Sequence, residues 1–143
     1  MVYTAMTKRA LRIAFDAHKG QVDKDGLPYI FHPFHLAEQM DTEAEVCAAL
    51  LHDVIEDSPV TLDDLKREGF SDEVVEAVSL LTRDKDVPYM TYIENLRQNP
   101  IATAVKLADL RHNADLSRMD IIDDKARRRE EKYREAIALL ERK

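Results

Sequence analysis

Apolar residues recur at three- and four-residue spacing along most of the chain, and no segment alternates in the manner of a strand, so the pattern predicts helices throughout. Ala10, Leu11, Ala14 and Ala17 mark a first helix over 4–19 that meets Gly20. Residues 21–31 read as a loop, broken by Gly26 and Pro28 and kept at the surface by Asp23, Lys24 and Asp25. Pro33 suits the first turn of a short helix to about Met40, where its missing N–H costs nothing. Thr42 and Glu45 have the spacing of a capping box ahead of Val46, Ala49 and Leu50, which predicts a helix to about Glu56, stopped by Pro59. Thr61 with Asp64 opens another that Gly69 ends, and Ser71 caps one through Val74, Val75, Val78 and Leu81. A charged loop over 83–86 leads to helices opened by Pro88, ending near Gln98, and by Pro100, extending to Leu116. The last pattern, over 124–143, carries Ala136, Ile137 and Leu140. With no repeat and no low-complexity linker, the expected architecture is all-α, a single compact helical domain over 1–143 with no sheet.

Composition narrows the function classes. Hydrophobic residues at 45% and charged residues at 34%, with three Gly and five Pro, suit a packed chain of 143 residues rather than a disordered one. No apolar run approaches the roughly 18 residues of a membrane span, and the first 19 residues lack the apolar stretch of a signal peptide. The expected setting is therefore cytoplasmic, with no membrane partner. A formal charge of −7 argues against nucleic acid as a partner, and a small anionic substrate would need local cations or a metal. The pattern carries no signal for oligomeric state. The lone Cys47 lies in the apolar run 46–51 and is expected in the core, not as a nucleophile.

Chemistry concentrates where apolar helix meets polar groups. In the stretch 48–57, Ala-Ala-Leu-Leu is followed by His52, Asp53, Glu56 and Asp57. On a continuous helix His52 lies above Glu56, and Asp53 above Glu56 and Asp57. That placement suits a metal with a general acid or base beside it; the alternative is a solvated C-terminal turn. Asp109 sits among apolar residues with Lys106 and Asn113 on its face, which also suits a buried ion pair with Lys106. His32, between Phe31 and Pro33, alone reads more readily as a packed histidine than as a ligand. Together His32, His52, Asp53 and Asp109 form a mixed nitrogen and oxygen set acceptable to Mn²⁺, Fe²⁺, Zn²⁺ or Mg²⁺.

The order His32, His52-Asp53, Asp109 resembles the HD superfamily of metal-dependent phosphohydrolases. More narrowly, His18-Lys19-Gly20-Gln21, Gly26-Leu27-Pro28-Tyr29-Ile30-Phe31-His32-Pro33, the stretch 48–57, and Lys106-Leu107-Ala108-Asp109 with Asn113 resemble the hydrolase domain of the RelA/SpoT family, above all its small stand-alone, Mesh1-like members. The resemblance implies a helical fold and removal of the 3′-pyrophosphate of guanosine tetra- or pentaphosphate, usually with Mn²⁺. It implies His32, His52, Asp53 and Asp109 as metal ligands, Glu56 and Asp57 as the acidic pair that activates or orients water, and Asn113 as a ribose contact. Lys24, Lys85, Arg129 and Tyr133 fall where the family places phosphate contacts, although Lys85, Arg129 and Tyr133 read equally as solvated side chains.

Two departures stand out. Asp23 replaces an arginine that the family uses against the guanine base, and Ala108-Asp109-Leu110 replaces Ala-Asp-Arg, with Arg111 one place later. Asp23 is expected to weaken base discrimination and to repel a polyphosphate unless Lys19 or Lys24 screens it. It also keeps a second enzyme reading open, an HD phosphatase acting on another phosphorylated nucleotide such as NADPH. A non-catalytic nucleotide sensor is the third reading, disfavoured because a sensor has no need of Glu56 and Asp57. The length leaves no room for the synthetase and regulatory domains of long family members, so an action on the alarmone is expected to be degradative only.

Overall fold

The computed structural model describes residues 1–142, and these form helices, with no strand among them beyond a single antiparallel bridge between Val22 and Pro28. In chain order the helices are α1 (Ala5–Ala17), α2 (Phe31–Glu38), α3 (Glu43–Leu51), α4 (Val54–Asp57), α5 (Leu62–Arg67), α6 (Asp72–Leu81), α7 (Tyr89–Leu96), α8 (Pro100–Ala114) and α9 (Asp124–Glu141), with a 3₁₀ turn at Leu116–Arg118 between the last two. None is long and apolar enough to cross a membrane.

The predicted starts are built as expected. Thr42 and Glu45 form a reciprocal capping box, as do Thr61 and Asp64, Ser71 accepts from the Val74 N–H, and Pro100 occupies the first turn of α8. After its acidic first turn α3 is apolar on every side, with all residues from Val46 to Leu51 buried, and such a segment is stable only at the centre of a bundle. It packs against α1, α2, α6 and α8, while α9 closes over α8. Cys47 is buried in this core, where burial pushes its thiol pKa up to about 12. A thiol reagent is therefore expected to leave it untouched in native protein and to label it on unfolding, a contrast that timed labelling with and without denaturant checks. Leu50 is fully buried, so Leu50→Ala is expected to cost about 2–5 kcal/mol, read as a lower denaturation midpoint.

One prediction needs correcting. The helix expected to run from Thr42 to Glu56 stops at Leu51 and resumes at Val54. In a regular helix the Ala49 carbonyl would accept the Asp53 N–H. Here the His52 ring takes that carbonyl through Nδ1 at 2.6 Å, and Asp53 opens into φ −108°, ψ 0°. The histidine side chain competes with the backbone, and the break turns Asp53 away from the face a continuous helix would give it. Smaller shifts move boundaries only: α2 starts at Phe31, so His32 lies inside its first turn, α7 ends at Leu96 and α8 at Ala114. Residue 143, at the end of the last predicted helix, lies outside the described residues.

Candidate metal centre and adjoining cavity

Three segments bring the predicted ligands together. His32 comes from α2, His52 and Asp53 from the α3–α4 break, and Asp109 from the middle of α8. His32, His52 and Asp109 are buried, and each offers one ligand atom within 4.8 Å of the other two. His32 Nε2 lies 2.8 Å from Asp109 Oδ1, and His52 Nε2 lies 3.8 Å from the same oxygen. Asp53 stands outside that tight trio yet at its edge, its Oδ2 2.9 Å from His52 Nε2 and hydrogen-bonded by the Tyr29 hydroxyl.

The outer nitrogen of each histidine is already engaged, which decides what the inner one can do. His52 Nδ1 donates to the Ala49 carbonyl. His32 Nδ1 meets His112 Nδ1 at 2.7 Å. Burial first, then the neighbouring His32 and Arg118, push the His112 pKa down to about 4, so a neutral His112 accepts from His32. With each Nδ1 so committed, the two Nε2 atoms are the ones turned towards Asp109, where His32 Nε2 is hydrogen-bonded to Oδ1 at 2.8 Å, and they are the nitrogens that a bound cation would engage in place of a proton. His52 Nε2 has no hydrogen-bond partner despite its 2.9 Å approach to Asp53, because that contact lies out of line for a hydrogen bond. A buried, unpartnered imidazole nitrogen facing carboxylates is what a shared cation resolves, and the set fits a divalent metal. Charge agrees: burial opposes protonation of His52, but Asp53 and Asp109 outweigh it and lift its pKa to about 9.

Asp109 makes the ion pair with Lys106 that its sequence position suggests, and turns its other oxygen to the histidines. Its Oδ2 holds the Lys106 ammonium at 3.0 Å, while Oδ1 faces the histidines and accepts from Asn113 Nδ2 at 3.0 Å. Burial works against its charge, and Lys106 then holds its carboxyl well below the usual range. Lys106 is in turn flanked by the Tyr89 and Tyr92 rings. Of the acidic pair, Glu56 accepts the Arg83 N–H at 2.5 Å. The Asp57 carbonyl accepts from Gln21 Nε2 at 3.0 Å, and Gln21 Oε1 meets His18 Nδ1 at 2.9 Å, which gives the His18–Gln21 motif the task of tying α1 to α4. Burial, reinforced by the Asp53 charge, raises the pKa of both Glu56 and Asp57.

Beside the centre lies a cavity of about 310 Å³ whose lining includes Lys24, Asn113, Arg129 and Tyr133, four of the five predicted substrate contacts. Lys85 is exposed in the loop after α6 and is not among its lining residues. Tyr29 and Asn113 line the cavity and are hydrogen-bonded to Asp53 and Asp109, so they join it to the centre. Sequence reasoning passed over Tyr29, His112 and Arg118. Tyr29 was within a recognised motif, His112 adjoined Asn113, and Arg118 carried no signal because a turn places it. Asp23 does not stand as a bare anion: its Oδ2 lies 3.6 Å from Arg118 Nη2, so Arg118, not Lys19 or Lys24, is the cation beside it. Arg111 points away and pairs with Glu141 on α9, while Leu110 is buried.

Comparison with known proteins agrees with this picture. Residues 10–136 match the model of the HD domain. The chain is 41% identical over 117 residues to guanosine-3′,5′-bis(diphosphate) 3′-pyrophosphohydrolase of Haemophilus influenzae, covering 71% of this chain and 17% of that protein. It is 39% identical over 123 residues to the bifunctional (p)ppGpp synthase/hydrolase SpoT of Escherichia coli, covering 74% and 17%. With guanosine-3′,5′-bis(diphosphate) 3′-pyrophosphohydrolase MESH1 of Mus musculus it shares 37% over 123 residues, covering 73% and 66%. The chain thus spans about a sixth of the bacterial relatives' length. A solved structure described as a metazoan ortholog of SpoT that hydrolyzes ppGpp superposes with a TM-score of 0.79 at 25% identity, covering 98% of this chain and 87% of that one.

Proposed function

The chain belongs to the HD-domain family, and from that premise we propose that it is a metal-dependent phosphohydrolase that removes the 3′-pyrophosphate of guanosine tetra- or pentaphosphate in the cytoplasm, with Mn²⁺ as the metal. The observation that carries this reading is the junction of two features: a buried His32, His52 and Asp109 trio, and a cavity that reaches it through Tyr29 and Asn113 and carries Lys24 and Arg129. His32, His52, Asp53 and Asp109 would hold the metal, with Tyr29 steadying Asp53 and Lys106 with Asn113 steadying Asp109. A metal bound there would lower the pKa of water and neutralise phosphate charge.

The chain's own residues supply the rest. Lys24 and Arg129 attract the phosphates, Asn113 and Tyr133 line the path of the ribose, and Glu56 or Asp57 accepts the proton of the attacking water. The water oxygen bonds the phosphorus next to the ribose, the bond from that phosphorus to the 3′-oxygen breaks, and the 3′-oxygen leaves as a hydroxyl with the proton that the carboxylate took from the water, returned directly or by way of solvent. The products are pyrophosphate and a nucleotide with a free 3′-hydroxyl. Asp23, which favoured an NADPH phosphatase as long as it looked unpaired, loses that force beside Arg118. The test is a small nucleotide panel with Mn²⁺: pyrophosphate is expected from guanosine 3′-pyrophosphates, and chelation is expected to abolish it. Orthophosphate from NADPH, or no product from any nucleotide, would contradict the reading.

A further inference from the structure

The cavity lining offers two kinds of chemistry. Tyr29 and Asn113 tie it to the metal centre, where the reacting phosphorus must sit. Val22, Leu116 and Met119 contribute apolar surface to its lining, and Asp23 and Arg118 face each other within it. Asp23 is fixed before any ligand arrives, since its Oδ1 accepts from the backbone N–H groups of Asp25 (2.9 Å) and Leu27 (3.0 Å) in a loop that turns at Gly26 with φ +81°. Arg118 is fixed as well, with Nη1 donating to the His112 carbonyl at 2.9 Å and Nη2 3.6 Å from Asp23 Oδ2.

Those contacts occupy both terminal nitrogens of the guanidinium and set a carboxylate beside its charge, so it is less suited to gripping a phosphate than an unpaired cation is. Lys24 and Arg129, which take part in no ion pair among the described residues, are the cations free for that task. A guanidinium engaged at its edge and anchored by a carboxylate still offers a flat polarisable face, which suits a neutral planar ring better than an anion. The reacting phosphate belongs at the metal centre, and the apolar lining together with Arg118 is left for the nucleoside part of the substrate.

We propose that Arg118, held in place by Asp23, is the platform on which the nucleobase of the substrate stacks. This rests on the phosphohydrolase reading and deepens it. Stacking reads the face of a base and not its edge, so guanine and adenine are accepted with little distinction. Asp23 is a positioning residue: it does not touch the base but keeps the guanidinium flat against it.

The test compares wild type with Arg118→Ala, Arg118→Lys and Asp23→Asn on three substrates with Mn²⁺: guanosine and adenosine 3′-pyrophosphates, and a base-free ribose 3-pyrophosphate. Binding of a guanosine analogue whose 3′-diphosphate is not hydrolysable is measured in parallel by calorimetry. Arg118→Ala is expected to raise KM for both nucleosides about tenfold, with kcat within about threefold, and to leave the base-free substrate unchanged. Arg118→Lys should not rescue, because it restores charge without a plane, and Asp23→Asn should show a smaller rise because its amide oxygen still holds the loop. Equal losses on the base-free substrate would mean a phosphate or folding role and would overturn the proposal, as would an unchanged KM or a loss confined to guanosine. Turnover by wild type decides the phosphohydrolase reading. The affinity ratio for the analogue decides the Arg118 platform even if turnover is absent, and an analogue that wild type does not bind overturns it.

Discussion

His52→Ala and Asp109→Asn should each lose the bound metal, with affinity falling more than the roughly 10–100-fold that loss of an outer partner costs, and hydrolysis should disappear with it. The expectation follows from the trio of buried donors within 4.8 Å and from the unpartnered Nε2 of His52, which has no other use in the fold. The choice of asparagine at position 109 matters. Removing that side chain would strand the half-buried Lys106 ammonium, and breaking a pair of this kind costs up to about 3–5 kcal/mol when it is fully buried, so an alanine could fail to fold for reasons unrelated to metal. Asparagine leaves Lys106 an oxygen while withdrawing the charge from the centre. Elemental analysis of protein purified without chelator measures the loss, and the rise in melting temperature on adding Mn²⁺, expected for wild type and absent in both variants, measures it independently. Arg111→Ala serves as the control, since Arg111 pairs with Glu141 away from the centre. Metal content unchanged in both variants would contradict the ligand assignment. Because imidazole and carboxylate must be deprotonated to bind, affinity should also fall as the pH is lowered.

Most of the bundle was legible in the sequence because its signals are local. A capping box needs two residues three apart, and Pro100, Gly69 and Ser71 mark boundaries by backbone chemistry alone. The four ligand candidates were legible as well, being ionisable groups embedded in apolar helices. The interruption of α3 was not, since it depends on which acceptor the His52 ring chooses once packed, and a helical wheel assumes the ladder continues. The same limit hid the pairing of Asp23 with Arg118. These residues are 95 positions apart, and the contact exists only because the 3₁₀ turn after α8 folds back on the loop after α1. Read locally, Asp23 was an obstacle to an anionic substrate, and its long-range partner reverses that meaning. Lys85, which reads in sequence equally as a phosphate contact and as a solvated side chain, stands exposed in its loop and outside the cavity lining.

Glu56→Gln and Asp57→Asn should keep the metal yet lose turnover, the larger loss being about 10²–10⁴-fold in kcat, the range general acid–base groups supply. Both carboxyls sit one turn beyond Asp53 on α4, and burial with the Asp53 charge raises both pKa values, which makes them better proton acceptors than free carboxylates. They differ in how they are held. Glu56 is oriented by the Arg83 N–H, a bond that glutamine preserves through its amide oxygen, so Glu56→Gln removes proton acceptance with little change in geometry. Asp57 is tied through its carbonyl to Gln21, and Asp57→Asn leaves that tie intact. Neither variant should therefore alter folding or metal content, and the loss should fall on kcat rather than KM. A base must be ionised to act, so a raised pKa moves the acid limb of the wild-type rate profile to higher pH than a free carboxylate would give, and the limb should flatten in whichever variant lacks the working base. Single-turnover rates across pH, with metal content measured on the same samples, check this. Losses below about tenfold in both variants would remove the pair from the proton transfer and leave it a structural role at the head of α4.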